Sequence, residues 1–141
     1  MKLASRKALG ISAQRRMQMQ SARAASAALR DRFPQVTTLR FELRFEDRDG
    51  RPPSPQQHTL YPAARAFFRF ACPCSECDGD FDLGPAVTAL VGELSESRRA
   101  VTGAVSGQLG CEGWRARERA NSRPCTIELH YRLSLGAASQ D

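Results

Sequence analysis

The segment Cys72-Pro73-Cys74-Ser75-Glu76-Cys77-Asp78-Gly79 places three of the five cysteines within six residues. Cys111 and Cys125 stand far downstream, each beside a strand-like run. A buried free cysteine packs like a small apolar residue, but packing alone accounts poorly for three in so short a stretch. The chain opens on Met1-Lys2-Leu3 and continues polar and basic, without the apolar run of a secretory signal. The expected setting is therefore cytoplasmic and reducing, where cysteines hold metal more often than they form disulfides. An odd count also argues against a closed disulfide framework.

Working outward, the flanks of this segment read as a small antiparallel sheet. Residues 65–72 form a strand with Phe68, Phe70 and Cys72 on one face, and it runs straight into the cysteines. Upstream, residues 36–46 give the clearest strand: Leu39, Phe41, Leu43 and Phe45 alternate with Arg40, Glu42, Arg44 and Glu46. Asp47 to Gln57 is a loop with Asp49-Gly50 and three prolines. Residues 58–62 fit a short edge segment containing His58, which is more simply an exposed residue than a ligand. Downstream, Asp82-Leu83-Gly84-Pro85 opens a helix, and Pro85 suits its first turn. Val87, Leu90, Val91 and Leu94 follow helical spacing and give it one packing face. Residues 100–111 and 125–135 are two further strands, joined by a polar, Arg-rich loop that holds Trp114.

Cys111 ends one of those strands and Cys125 begins the next. Each is in phase with its strand's apolar set, so a hairpin brings both to the same face, with side-chain roots about 5 Å apart when residues are directly opposed. Cys74-x-x-Cys77 has the spacing of a metal knuckle, with Gly79 at the turn's exit. The predicted ligands of one structural zinc ion are Cys74, Cys77, Cys111 and Cys125. Cys72 remains an alternative first ligand, because it shares the phase of Phe68 and Phe70. A knuckle followed by hairpin cysteines resembles the zinc ribbons over residues 67–135. The second half departs from their pattern: its cysteines are single and separated by thirteen residues, and a helix precedes them.

The net charge of +6 is unevenly spread. Residues 1–32 hold eight Lys or Arg against Asp31 alone, while the rest of the chain is nearly neutral. From Ala13 to Leu29 there is no Gly or Pro, and the composition favours a helix. Its apolar face (Met17, Ala24, Ala28) is thin, so weak docking is expected. Arg16, Arg23 and Arg30 recur every seven residues along one side. With Arg15, and with Arg115, Arg117, Arg119 and Arg123 of the last hairpin, they are candidates for contacting phosphates. A solvated helix face and a targeting segment are the other readings of the arm.

Several chemistries lose their support. Pro73–Cys77 matches half of the zinc-deaminase signature, but neither His58 nor His130 begins the required His-x-Glu. A Cys74/Cys77 redox dithiol expects a thioredoxin-like βαβ order, which this chain lacks. Asp78 to Asp82 opens like a calcium loop, but Leu83 and Ala89 occupy its required Gly and Glu positions. No stretch reaches the ~20 apolar residues of a membrane span. The expected fold is α+β: a four-stranded antiparallel sheet with one packed helix, a zinc-ribbon-like four-cysteine clip and an N-terminal basic helix. Residues 1–33 form the arm, 34–136 the stapled domain and 137–141 a tail. The expected function is a zinc-binding interaction module whose arm meets nucleic acid or a ribonucleoprotein. A protein–protein adaptor with structural zinc is the alternative, and a thiol redox protein a third.

Overall fold

A computed structural model describes residues 11–74, 77–96, 102–115 and 122–137. The elements in chain order are α1 (Ile11–Ala25), the single turn α2 (Leu29–Arg32), β1 (Val36–Asp47), β2 (Gln56–Leu60), β3 (Arg69–Ala71), β4 (Asp80–Asp82), α3 (Gly84–Glu96), β5 (Thr102–Gly110), β6 (Trp114–Arg115), β7 (Arg123–Pro124) and β8 (Ile127–Ala137). The architecture is α+β, and its main sheet is four-stranded and antiparallel in the order β2-β1-β8-β5. Two-residue alternation decides which face is inside. Leu39, Phe41, Leu43 and Phe45 of β1 are buried with Leu129, Leu133 and Leu135 of β8, while Arg40, Arg44 and Glu46 stay exposed. The ribbon β3-β4 and helix α3 pack on that apolar face.

Sheet membership differs from the sequence expectation. The strand expected over 65–72 shrinks to Arg69–Ala71 and leaves the main sheet. It pairs instead with Asp80–Asp82 in a separate ribbon, β3-β4, laid across the core face. Aromatic contacts fix that ribbon: Phe68 and Phe70 meet Phe41 at 6.0 and 5.1 Å between ring centres, and Phe81 meets Phe45 at 6.1 Å. The fourth strand of the sheet is the short edge segment, β2. Helix α3 follows the expected pattern. The Asp82 carboxylate accepts the Gly84 N–H at 2.9 Å, which satisfies one orphan donor of its first turn. Val87 and Leu90 are buried, and Leu90 and Leu94 lie over Gly103 of β5.

The N-terminal helix stops at Ala25, short of the expected Leu29. Tertiary backbone bonds take the chain out of the helix there. Ala66 donates to the Ala27 carbonyl at 2.8 Å, Leu29 donates to Ala64 at 2.7 Å, and Arg30 donates to Pro62 at 2.9 Å. Docking is also firmer than the thin face implied. Met19, not the exposed Met17, is the buried anchor. The Arg15 guanidinium reaches the Asp80 carboxylate at 2.7 Å, and Arg69 grips the same oxygen at 2.8 Å. Arg23 lies over the Phe67 ring at 5.4 Å.

Candidate metal centre

Antiparallel pairing builds the site. In the β5-β8 hairpin Leu109 faces Leu129 and Gly110 faces Glu128. Beyond the end of β5 the Cys111 N–H donates to the Ile127 carbonyl at 3.0 Å, and the Cys125 N–H donates to Gly113 at 2.9 Å. The same register resumes in β6-β7, where Trp114 faces Pro124. Cys111 and Cys125 are therefore diagonal neighbours on one face, two residues out of direct opposition. Cys77 arrives from the other side, bridged in antiparallel fashion to Arg115. Asp78 reinforces that junction by accepting the Trp114 N–H on its carboxylate at 2.7 Å. Cys72 is delivered by the end of β3, where the phase of Phe68 and Phe70 turns it inward.

Cys72, Cys77, Cys111 and Cys125 bring their sulfurs within 4.8 Å of one another, a group able to hold a metal ion. Two of the separations are 3.5 Å, for Cys77 to Cys111, and 3.7 Å, for Cys72 to Cys125. All five thiols are free, not disulfide-bonded. Cys74, favoured by its spacing, stands outside the group, and Cys72 takes the place. Strand phase decides between them, since Cys72 continues the buried side of β3. Cys74 serves as a turn residue: its carbonyl accepts the Cys77 N–H at 3.4 Å, and its own N–H stands by the Cys72 sulfur.

Two of the four sulfurs receive a backbone N–H. Gly79 donates to Cys77 at 3.2 Å and Gly113 donates to Cys111 at 3.4 Å, while the Cys74 amide stands by Cys72 and the Arg115 guanidinium by Cys125. In both hydrogen bonds the donor lies two residues beyond the cysteine. The sequence carried a signal for this that spacing rules for cysteine pairs did not use: Cys77-Asp78-Gly79 and Cys111-Glu112-Gly113 are the same cysteine–acid–glycine triplet twice. Both glycines sit against the cluster.

Arg115 is the charged residue buried beside it. Its guanidinium pairs with the Asp47 carboxylate at 3.0 Å, and the Thr126 hydroxyl donates to the other Asp47 oxygen at 2.5 Å. Burial alone would raise the Asp47 carboxyl. The Thr126 hydroxyl, the Asp49 amide and Arg115 outweigh it and hold the group below the ordinary aspartate value. Four thiols so close cannot all ionise. Hydrogen bonds to Cys111 and Cys77, together with burial, push the Cys72 thiol up. Cys111 is pulled down to about 4 by hydrogen bonds from Cys72 and Cys77.

Other candidate residues lie apart from this centre. His58 lies tilted against Phe70, with ring centres 5.1 Å apart, and hydrogen-bonds Gln56 at 3.1 Å. Arg16, Arg23 and Arg30 are exposed, but the break after Ala25 takes Arg30 off the helix that carries the other two. Arg15 is engaged by Asp80. Arg123 is exposed, whereas Arg117 and Arg119 lie outside the described residues, as does all of the expected tail beyond Ala137. Among the described residues no helix is long and apolar enough to cross a membrane. No family model, no curated protein and no solved structure matches the chain. Fold and site together define an α+β protein with a four-cysteine group positioned to hold a metal ion.

Proposed function

We propose that this protein is a zinc-stapled interaction module whose arginine-rich layer binds nucleic acid. The four-sulfur group carries the metal half of the proposal. Zinc bound by four thiolates at about 2.3 Å requires sulfurs about 3.8 Å apart in a tetrahedron, and 3.5 and 3.7 Å are near that edge. Four soft anionic donors suit zinc and disfavour magnesium or calcium. A four-sulfur shell leaves no open position for a substrate, so the role is structural. Four thiolates around a divalent ion leave two negative charges, and the Arg115 guanidinium with the Gly79 and Gly113 N–H groups offsets them.

The nucleic-acid half rests on how two segments meet. Backbone bonds between 27–30 and 62–66 join α1, α2 and the stretch before β3 into one surface. Residues 11–32 and 61–69 contain seven arginines and one acid, Asp31. Arg16, Arg23, Arg30, Arg32 and Arg65 are exposed there. Arginine presents a planar fork suited to phosphate. The opposite face of the sheet makes a contrast: Arg40, Arg44 and Arg132 pair with Glu42 and Glu46, so its charges cancel. Binding of a single-stranded oligonucleotide across a salt series tests this half. Affinity that falls steeply with salt supports it, and affinity that is undetectable at low salt or indifferent to salt overturns it. A protein–protein adaptor is the second reading, favoured by the docking of α1 through Asp80, which makes the basic layer a rigid surface.

A further inference from the structure

We propose that β5 pairs with the β5 of a second copy of this chain, joining two sheets into one across a two-fold axis. The observation is independent of the metal. Strand β5 is the outer member of the sheet order β2-β1-β8-β5, and among the described residues only β8 pairs with it. The bonds at Cys111–Ile127 and Gly113–Cys125 fix the hydrogen-bonding phase of the hairpin. Odd residues of β5 turn their N–H and C=O toward β8. The even residues, Thr102, Ala104, Ser106, Gln108 and Gly110, turn theirs outward. An open row of this kind is a template for another strand.

The two edges of the sheet are treated differently. The five-residue strand β2 lies between Pro55 and Pro62, with two more prolines just upstream. Short length and proline are ordinary guards of an edge. Strand β5 has nine residues, no proline and no charge.

Self-pairing explains the sequence of β5 better than pairing with a foreign strand. Antiparallel pairing centred on Ser106 sets Ser106 against its own copy and Ala104 against the second chain's Gln108. No charge meets its like. On the core-facing side, Gly103 falls opposite Leu109, and Val105 opposite Gly107. Val105 is thereby set against the Tyr131 ring that lies over Gly107, and Leu109 against the leucines over Gly103. Val105 is 37% exposed and Leu109 only partly buried, so pairing covers both. Leu90 and Leu94 of α3, which already lie over Gly103, supply the apolar wall that the incoming Leu109 meets.

Sedimentation equilibrium of the full chain tests the proposal, with Ser106→Lys and Ser106→Pro as variants. The wild type is expected at twice its 15.6 kDa. Ser106→Lys places like charges on the axis. Ser106→Pro removes an outward N–H that, among the described residues, no strand pairing uses. Both are expected at the mass of one chain with unchanged circular dichroism. Hydrogen exchange on the wild type gives a second reading: the Ala104, Ser106 and Gln108 amides should be protected in a concentration-dependent way. A wild type of single mass at its highest soluble concentration overturns the proposal. So does a dimer that persists in a folded variant, exchange of those three amides at unprotected rates, or one copy carrying a foreign strand on this edge.

Discussion

Gly79 stands directly against Gly113, and the two backbones close the floor of the cysteine cluster. The Cys77–Arg115 bridge sets this opposition. A Cβ on Gly79 would lie 2.5 Å from Cys111 Sγ and 2.9 Å from the Gly113 nitrogen. One on Gly113 would lie 2.8 Å from Cys77 Sγ and strike the backbone of Gly79. The strands carrying two of the sulfurs can approach only because neither residue has a side chain.

Gly113→Ala and Gly79→Ala should therefore each destabilise the zinc-loaded protein by about 1–3 kcal/mol, the usual cost of overpacking. Both should also speed metal loss to a chelator. Gly92→Ala is the control, since nothing lies within 4 Å of its added Cβ. Denaturant midpoints and zinc-release rates check this. Equal effects at Gly92 and Gly113 would contradict the packing argument.

The fifth cysteine separates strand phase from spacing. Changing Cys72, Cys77, Cys111 or Cys125 to Ser should abolish stable zinc retention and loosen the fold, because site formation and folding share one free energy. Cys74→Ser should keep both. The Cys74 N–H that supports Cys72 belongs to the backbone and survives the substitution. Zinc lost from Cys74→Ser but retained by Cys72→Ser would reverse the assignment.

The Arg115–Asp47 pair ties the cluster to the end of β1. Removing one partner of a buried pair strands the other, at about 3 kcal/mol, and Asp47→Asn should show a loss of that order. The pH dependence has a definite sign. The Asp47 carboxyl is held below its ordinary value of 3.8, so its contribution is complete above that value and is lost only as pH falls through the still lower folded value. The stability difference between wild type and Asp47→Asn should hold constant from pH 7 to pH 5. Closure of the gap within that window would contradict the depressed carboxyl.

Arginine placement separates the proposed nucleic-acid contacts from the structural ones. Arg16→Ala and Arg23→Ala should weaken oligonucleotide binding and flatten its salt dependence, each by about one phosphate contact. Arg44→Ala, on the charge-balanced face, should leave both unchanged. Arg15→Ala should act through stability, by freeing Asp80. Fluorescence anisotropy over a salt series distinguishes the three, and an Arg44 effect equal to that of Arg23 would remove the basic layer from the account.

Much of this fold is legible in local pattern. Strand β1 declares its buried side in every second residue, and α3 in Val87, Leu90, Val91 and Leu94. The apolar set around Leu129 and Leu133 marks β8 equally well. What pattern cannot convey is partner choice. Phe68 and Phe70 read as a strand of the main sheet, but their rings are used to lay a separate ribbon on Phe41. Composition favoured a helix through Leu29, whereas backbone bonds to Pro62, Ala64 and Ala66 end it four residues earlier. The site was legible to within one residue. Cys77, Cys111 and Cys125 follow from spacing and phase, and the choice between Cys72 and Cys74 turned on which one the short ribbon points inward.

Zinc X-ray absorption on the purified full chain tests the central claim most directly. One zinc per chain with four sulfur neighbours at about 2.3 Å is the predicted result. A metal-free folded protein, or a first shell containing nitrogen or oxygen, would contradict it.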